Sequence, residues 1–404
     1  MSGESASIRP FAIAWLIYAI CILGLAVFVW VPTGLYKEMD YRMMYTGGML
    51  ARTDSSHLYD LSKQRQVQEK LVKNDGIVVP FPHLAAESLI DVPFSFLDYR
   101  RAYLAMIGFN AVLIALCFFA ARKAFSAIVP IWQPRPGLIF FAFMPVAITL
   151  AQGQDSLILL LILCLTWKFI ERSNYFVSGL LLACLLVKPH LAFLVASLLV
   201  VRLGVRFLAG FASGSAIMAA ICMPFWLHGG WGEWRALLLQ ISLARGSGQA
   251  EQLAAATYPA SEPDLHGLLY LIMGHAVPAG KFFVIVVLVT LCILVWALVR
   301  VRKLPQQEAF VFALFTAAFL GYHFEEADLT ILLLGLVLVQ VGEDKVLRVC
   351  RHALLGLPIV LLIFEPATPP GAGFAWVCIP LATIFFILGG RSQAQFSAAS
   401  EAIA

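Results

Sequence analysis

Residues 11–31 read FAIAWLIYAICILGLAVFVWV, an uninterrupted apolar run, and Asp40 follows nine residues after its end. A run of this length can cross the hydrocarbon core of a bilayer as one helix. No small-residue cleavage site follows it, so we expect an uncleaved anchor rather than a signal peptide. A carboxylate just outside a first span, at the start of a long polar loop, favours chemistry at the membrane surface.

The composition is that of a membrane protein. Of the 404 residues, 61% are hydrophobic and 13% are charged, and the mean hydropathy is +0.86. Soluble domains carry about 25% charged residues. The net charge of +4 is small, and no basic cluster with interleaved aromatic residues occurs, so we expect no nucleic-acid partner. The eight cysteines form no C-x-x-C pair and are expected to be small buried side chains.

Apolar segments recur along most of the chain. We therefore predict an all-α polytopic membrane protein, a single integral-membrane domain over residues 1–404 with about 10–12 transmembrane helices. The segments are 11–31, 102–121, 138–152, 155–170, 175–188, 190–202, 207–227, 282–299, 307–322, 328–342, 353–365 and 374–389.

Lysine and arginine residues predict the orientation of these segments. One set of short connections carries fifteen of them and the opposite set carries four. Because positive charge is retained on the cytoplasmic side, both termini are predicted to be cytoplasmic. Residues 176–188 and 191–202 are each too short for a full crossing, since 13 residues rise only about 20 Å as a helix. We expect a bent pair that meets at Lys188-Pro189-His190 inside a cavity open to the outer face.

The same predicted orientation places unusual polar residues on the outer side, in four separate turns. Each residue alone could be an ordinary loop residue in water, but ionisable groups near a membrane are costly and usually functional. The set comprises Asp40; Gln152, Gln154 and Asp155; Lys188 and His190; and His323, Glu325, Glu326 and Asp328.

Two long outer loops flank this set. Residues 32–101 form the first extracytoplasmic loop, in which the spacing from Asp40 to Arg52 and the charged run 62–73 predict short juxtamembrane helices. Residues 228–280 form the second, which contains Gly246-Ser247-Gly248 and is the natural place for a mobile flap.

These residue types fit sugar transfer from a lipid phosphate. Such a reaction needs a base for the acceptor hydroxyl and a cation for the departing phosphate. We assign Asp40 as the base and Lys188 as the phosphate partner, with His190 or His323 donating hydrogen bonds to phosphate or sugar. A phosphate leaves without strong protonation, so one carboxylate suffices and direct attack inverts the anomeric carbon.

At these residues the chain resembles glycosyltransferase family 87, the polyprenyl-phosphate-dependent hexosyltransferases of the C-type membrane fold. The resemblance rests on several short motifs between residues 40 and about 333. They are Asp40 with its small-residue helix, Leu58-Tyr59-Asp60, Phe81-Pro82, Gly153-Gln154, Gly179 with Lys188-Pro189, and His323 five residues before Asp328.

The resemblance implies an inverting transferase, α-mannosyltransferase-like, that uses a polyprenyl-phosphate-linked sugar at the outer side of the plasma membrane. It implies Asp40 as the catalytic base and adds Gln154, Asp328 and Tyr59 to the residues that bind donor phosphate or sugar. A glycan or glycolipid of the cell envelope would be the acceptor, in contact with membrane lipid. The sequence departs from the family pattern at Phe81-Pro82-His83 and at residues 264–267. These differences concern the identity of the acceptor more than the fold.

Two other classes remain open from the sequence. A secondary transporter would show repeated halves and charges near the midplane, and we find no convincing repeat. The other class is a non-catalytic relative or another lipid-dependent enzyme, such as an acyltransferase. For an acyltransferase the one close pair is His323 with Asp328, which has four intervening residues but lies outside a soluble active-site context. No G-x-G-x-x-G or Asp-x-Asp motif occurs, so we expect neither a nucleotide-sugar donor nor an essential metal or cofactor.

Overall fold

The computed structural model describes most of the chain. The described residues are 13, 16–17, 19–21, 23–34, 40–72, 77–121, 143–244, 262–273, 276–321, 326–339, 344–364 and 374–391. They form helices joined by short turns, and several of the helices are long and apolar. The prediction of an all-α membrane protein is confirmed.

Three short helices form a layer within the predicted first outer loop. Asp60 caps the second of them by accepting hydrogen bonds from the backbone N–H groups of Ser62 and Lys63. The first two helices agree with the helical spacing read from the sequence. The helices are α1 (Tyr41–Thr53), α2 (Leu61–Leu71) and α3 (Ala85–Asp91).

The remaining helices are mostly apolar. At the centre lies α13, of which every residue from Glu308 to Leu320 is buried. The helices are α4 (Tyr99–Ala120), α5 (Met144–Gln152), α6 (Ser156–Glu171), α7 (Tyr175–Leu182), α8 (Pro189–Leu203), α9 (Val205–Trp226), α10 (Gly230–Ala244), α11 (Leu265–Met273), α12 (Ala279–Val301), α13 (Gln306–Leu320), α14 (Leu332–Leu338), α15 (Lys345–Phe364) and α16 (Cys378–Gly390).

Three described helices are long and apolar enough to cross a membrane: Tyr99–Ala120, Val205–Trp226 and Gly280–Val301. Shorter apolar helices accompany them, among them Pro189–Leu203 and Gln306–Leu320. The crossings predicted from the sequence therefore include helices shorter than a full span, and their number stays a prediction.

The chain breaks where the short segments were predicted to meet. After α7 it tightens into a 3-10 helix, Ala183–Val187, and Lys188 then leaves helical geometry with φ −116° and ψ 84°. Pro189 starts α8, where its missing N–H costs nothing. The backbone change at Lys188 directs its side chain away from the helix axis and into the protein.

Glycines let α7 and α9 cross in close contact. A Cβ added at Gly179 would lie 2.2 Å from the carbonyl oxygen of Phe207, and one at Gly210 would lie 1.9 Å from that of Phe176. Small residues of this kind let membrane helices pack backbone to backbone. The crossing fixes α7, and with it the 3-10 segment that leads to Lys188.

Glutamine side chains hold the extended chain between α2 and α3. Gln64 accepts a hydrogen bond from the backbone N–H of Phe81 at 2.8 Å. Gln68 accepts from the N–H of Val79 at 2.9 Å and donates to its carbonyl at 2.7 Å. Buried backbone groups need such partners, so the loop layer is a packed unit that fixes the start of α3.

The second outer loop is helical in its described parts, at α10 and α11. The predicted flap around Gly246-Ser247-Gly248 lies outside the described residues, as does His323.

Candidate functional site

Asp40, the predicted base, is bound by Gln154. Gln154 Nε2 donates a hydrogen bond to Asp40 Oδ2 at 2.5 Å. Asp40 precedes α1, and its carbonyl accepts from the backbone N–H groups of Met43 and Met44. The Gln154 carbonyl accepts from Asn110 Nδ2 at 3.2 Å. The side chain of Gln154 thus contacts the carboxylate of Asp40, while its backbone is held by Asn110 of α4.

A left-handed glycine allows this contact. Gly153 ends α5 with φ 66° and ψ 31°, a conformation that glycine adopts without strain. A Cβ at Gly153 would lie 2.9 Å from the Cβ of Tyr41. Close approach of Tyr41 to this turn brings Asp40, its neighbour in the chain, within reach of Gln154.

A second cluster surrounds Lys188. Its ammonium group is paired with the carboxylate of Asp328 and lies 3.8 Å from Oδ1 of Asp155. Ser156 Oγ donates to Asp328 Oδ1 at 3.1 Å. The turn that carries Asp328 is fixed by Thr149 Oγ1, which lies 3.2 Å from the carbonyl oxygen of Ala327. The cluster thus joins α5, α6, α8 and the 3-10 turn Ala327–Ile331.

The two clusters meet at consecutive residues. Gln154 binds Asp40 and Asp155 lies beside Lys188. Because neighbouring Cα atoms are about 3.8 Å apart, the predicted base and the predicted phosphate partner belong to one site. The structure brings together four of the seven residues predicted from the sequence: Asp40, Gln154, Lys188 and Asp328.

Lys188 and Asp328 were both predicted to bind donor phosphate or sugar, and that prediction stays untested. In the structure their charged groups are bound to each other. A buried ammonium group needs carboxylate partners to offset its desolvation. For Lys188 to bind a phosphate oxygen, part of this pairing must be exchanged.

Of the other three predicted residues, the structure describes Tyr59 and His190. Tyr59 is buried, and its hydroxyl donates to the carbonyl oxygen of His83 at 3.0 Å, so it supports the start of α3. His190 follows Pro189 in the first turn of α8 and lies next to Gly321. His323 lies outside the described residues. The roles assigned to these three residues stay predictions.

The sequence reading missed α3. His83, Glu87 and Asp91 are spaced four residues apart and share one face of the turn and helix. His83 Nδ1 lies 2.6 Å from Glu87 Oε1, and Glu87 and Asp91 are fully buried. The spacing of these three residues, at i, i+4 and i+8, is the feature of the sequence from which this helix could have been predicted.

Electrostatics couple α3 to the site. Burial opposes protonation of His83, but the neighbouring Glu87 carboxylate outweighs this and raises the pKa of the imidazole. Burial, reinforced by the charges of Glu87 and Asp155, raises the pKa of Asp91 well above its ordinary value. Glu87 and Asp91 are one helical turn apart on α3, and Asp155 lines the same cavity as this helix.

An apolar cavity of about 230 Å³ opens beside the site between α3, α6 and α9. Asp155 is its one charged lining residue. The remaining lining residues are Ala86, Leu89, Ile90, Ile158, Ile162, Cys184, Val187, Met218 and Ile221.

Within the described part of the chain, one group has donor atoms spaced as a metal ion would require. Donor atoms of Glu262, Asp264 and His266 lie within 4.8 Å of one another. His266 Nδ1 lies 2.7 Å from Glu262 Oε2, and Asp264 accepts from the Gly267 N–H at 2.9 Å. An ion pair and a helix cap therefore account for these residues.

Comparison with known proteins gives one result. The family model described as glycosyltransferase family 87 matches residues 88–324, more than half of the chain. No curated protein and no solved structure matches the chain.

Proposed function

Since the chain belongs to glycosyltransferase family 87, we propose that it transfers a hexose, with mannose as the first candidate, from a polyprenyl-phosphate donor. The acceptor is a glycan or glycolipid of the cell envelope, and the reaction inverts the anomeric carbon at the outer face of the plasma membrane. The observation that carries the proposal is the Gln154-Asp155 junction, which joins a positioned carboxylate to a buried ammonium group.

Asp40 acts as the general base in this proposal. Its Oδ1 or Oδ2 takes the proton of the acceptor hydroxyl while that oxygen attacks the anomeric carbon. The new carbon–oxygen bond forms as the bond to the phosphate oxygen breaks, and the electron pair leaves with the lipid phosphate. Gln154 keeps the carboxylate in place by its hydrogen bond to Asp40.

Lys188 stabilises the departing phosphate. The charge that develops on the phosphate oxygen is favoured by a cation held in a site that excludes water. Lys188 is buried and already bound to Asp328, so the phosphate takes the place of a carboxylate partner when it binds. The exchange keeps the ammonium group paired, and the displaced carboxylate retains its hydrogen bond from Ser156.

The apolar cavity fits the lipid end of the donor. Nine of its ten lining residues are apolar or cysteine, and the tenth, Asp155, lies 3.8 Å from the ammonium group of Lys188. An isoprenoid chain gains about 25 cal/mol for each Å² of apolar surface that it buries. A chain in this cavity would end beside the residue that binds its phosphate.

Purified protein incubated with a panel of polyprenyl-phosphate hexoses and membrane glycolipids tests this function. We expect release of free polyprenyl phosphate with one hexose, coupled to appearance of a glycosylated lipid or glycan. Labelling the anomeric position and analysing the product determines whether the configuration is inverted. Turnover of a nucleotide sugar, with no turnover of any lipid-linked sugar, would contradict the proposal.

A further inference from the structure

Helix α3 has an apolar face and an acidic face. Its apolar face, with Ala86, Leu89 and Ile90, lines the cavity. Its other face carries Glu87 and Asp91, both with no exposed surface. The helix thus lies between the space assigned to the lipid chain and the interior of the protein where the two site clusters meet.

The carboxylates of this face have unused hydrogen-bonding capacity. Within the described residues, no donor lies at bonding distance from either carboxylate oxygen of Asp91, from Glu87 Oε2 or from Asp155 Oδ2. Buried polar groups are normally paired, and an unpaired carboxylate is costly to bury. Four acceptor oxygens from three side chains therefore require donors from another source.

The hydroxyl of Tyr41 adds a donor to the same place. It is fully buried, and no described residue accepts a hydrogen bond from it. Gly48, seven residues after Tyr41 in α1, packs directly against Asp91, yet the Tyr41 hydroxyl and the Asp91 carboxyl group are not hydrogen-bonded to each other. Tyr41 follows Asp40 directly in the chain, so these groups lie next to the predicted base.

The carboxyl groups of Glu87, Asp91 and Asp155 are not spaced as the ligands of one metal ion would be. The group with metal-ligand spacing among the described residues lies in the second loop, at Glu262, Asp264 and His266. The oxygens of Glu87, Asp91 and Asp155 are more widely spread. Separated carboxyl groups with several open lone pairs suit a ligand that carries many hydroxyl donors, because each of these oxygens can accept a hydrogen bond and each hydroxyl donates one.

We infer that the polar face of α3, with Glu87 and Asp91, binds the hydroxyl groups of the sugar carried by the donor. The inference rests on the proposed function, because it places the sugar between Lys188 at its phosphate and Asp40 at the attacking acceptor. Asp155 adds one acceptor from α6, and Tyr41 adds one donor from α1. This face then determines which hexose is accepted, while the cavity and Lys188 bind any polyprenyl phosphate.

Binding of two lipids tests the inference without a known acceptor. Dissociation constants are measured in nanodiscs for polyprenyl-phosphate mannose and for polyprenyl phosphate without sugar. In the unmodified protein we expect the sugar to tighten binding. Glu87→Gln and Asp91→Asn should each reduce this gain about tenfold or more, because each change replaces a carboxyl oxygen that accepts a hydrogen bond by an amide NH₂ group that cannot accept one. Both variants should bind the bare lipid phosphate as before.

Glu69→Gln, which changes an exposed carboxylate of α2 in the same layer, is the matched control and should leave both constants unchanged. Binding of the bare lipid shows that a variant is folded. If one of the two variants does not fold, the other still tests the inference. An unchanged gain in both folded variants would overturn the sugar subsite. Failure of the unmodified protein to bind either lipid would instead defeat the proposed function.

Discussion

At the scale of single residues, the assignment of Asp40 as the general base can be tested by a substitution that keeps its contact with Gln154. Asp40→Asn keeps the size of the side chain and removes its ability to take a proton. We expect turnover to fall by about 10²–10⁴-fold, the range that general base catalysis supplies. Binding of polyprenyl phosphate should remain near that of the unmodified protein, because Lys188 and the cavity are unchanged. Initial rates of lipid-phosphate release measure the effect.

The matched control for this change is Asp98→Asn. Asp98 is an exposed acid that caps α4 by accepting from the N–H of Arg101, and asparagine caps about as well as aspartate. It should transfer sugar at the normal rate. A normal rate in Asp40→Asn would remove the base assignment and leave the hydrogen bond with a structural role alone.

The ion pairs of Lys188 predict an order of stabilities. Lys188→Met leaves two buried carboxylates, Asp155 and Asp328, without their counter-ion, and removing one member of a buried pair costs about 3–5 kcal/mol. Asp328→Asn keeps Asp155 beside the ammonium group and should cost less. Thermal unfolding in detergent should therefore rank the unmodified protein first, Asp328→Asn second and Lys188→Met last. The opposite order would mean that Asp155 contributes little to the stabilisation of the ammonium group of Lys188.

His83 predicts a dependence of stability on pH. Glu87 raises the pKa of His83 above its ordinary value of 6.5 in the folded state, so the folded protein binds the proton more tightly than the unfolded chain. The resulting stabilisation is fully present below about pH 6.5 and is lost as pH rises through the raised pKa. Between pH 6 and 9 the melting temperature should fall more steeply in the unmodified protein than in His83→Gln. Parallel curves would show that the pair contributes nothing to stability. The raised pKa of Asp91 acts in the same direction in both proteins and cancels in the comparison.

At the scale of elements, the sequence predicts α1 and the charged helix α2 but gives no reason to select α3. Hydropathy and caps locate helices along the chain, and an acidic residue in a long polar loop is normally solvated. Glu87 and Asp91 are buried because α1 and α9 pack against α3, and such packing between segments distant in the chain leaves no local pattern. The bend at Lys188 was predictable for the opposite reason, since segment length and Pro189 both act locally.

The contact between α1 and α3 depends on Gly48. A Cβ there would lie 2.6 Å from the backbone carbon and Cβ of Asp91, which only a shift of α3 can relieve. We expect Gly48→Ala to destabilise the protein by about 1–3 kcal/mol, as overpacking does, although alanine favours the helix itself by about 1 kcal/mol. Sugar transfer should fall as well, since Asp91 is displaced. Thermal unfolding and initial rates measure the two effects.

Gly108→Ala is the control for this change. Gly108 lies inside α4, and a Cβ added there meets nothing within 4 Å. This variant should be neutral or slightly more stable, because the gain in helix propensity remains without a clash. Equal stability in Gly48→Ala and Gly108→Ala would show that α1 and α3 are not held as closely as described.

At the scale of the whole molecule, hydropathy predicts the class of protein and the family motifs predict one site. The site itself could be predicted only in part, because its pairings join distant segments: Asp40 with Gln154, and Lys188 with Asp328 across 140 residues. A sequence can mark such residues as costly in a membrane. It does not state which of them neutralise one another, and the pairing of Asp328 with Lys188 is visible only in the structure.

Orientation in the membrane is the last property that the whole chain determines. The excess of Lys and Arg on one set of connections predicts that the loop layer lies outside and the connection after α12 inside. In a variant whose exposed cysteines, Cys21 and Cys292, are replaced, Asp98→Cys should react with a membrane-impermeant maleimide on intact cells. Lys303→Cys should react only after the membrane is permeabilised. Both positions are exposed, so a difference in labelling reports the side of the membrane rather than burial. The reverse pattern would place Asp40 in the cytoplasm, and the proposed donor would then have to be presented on the inner leaflet.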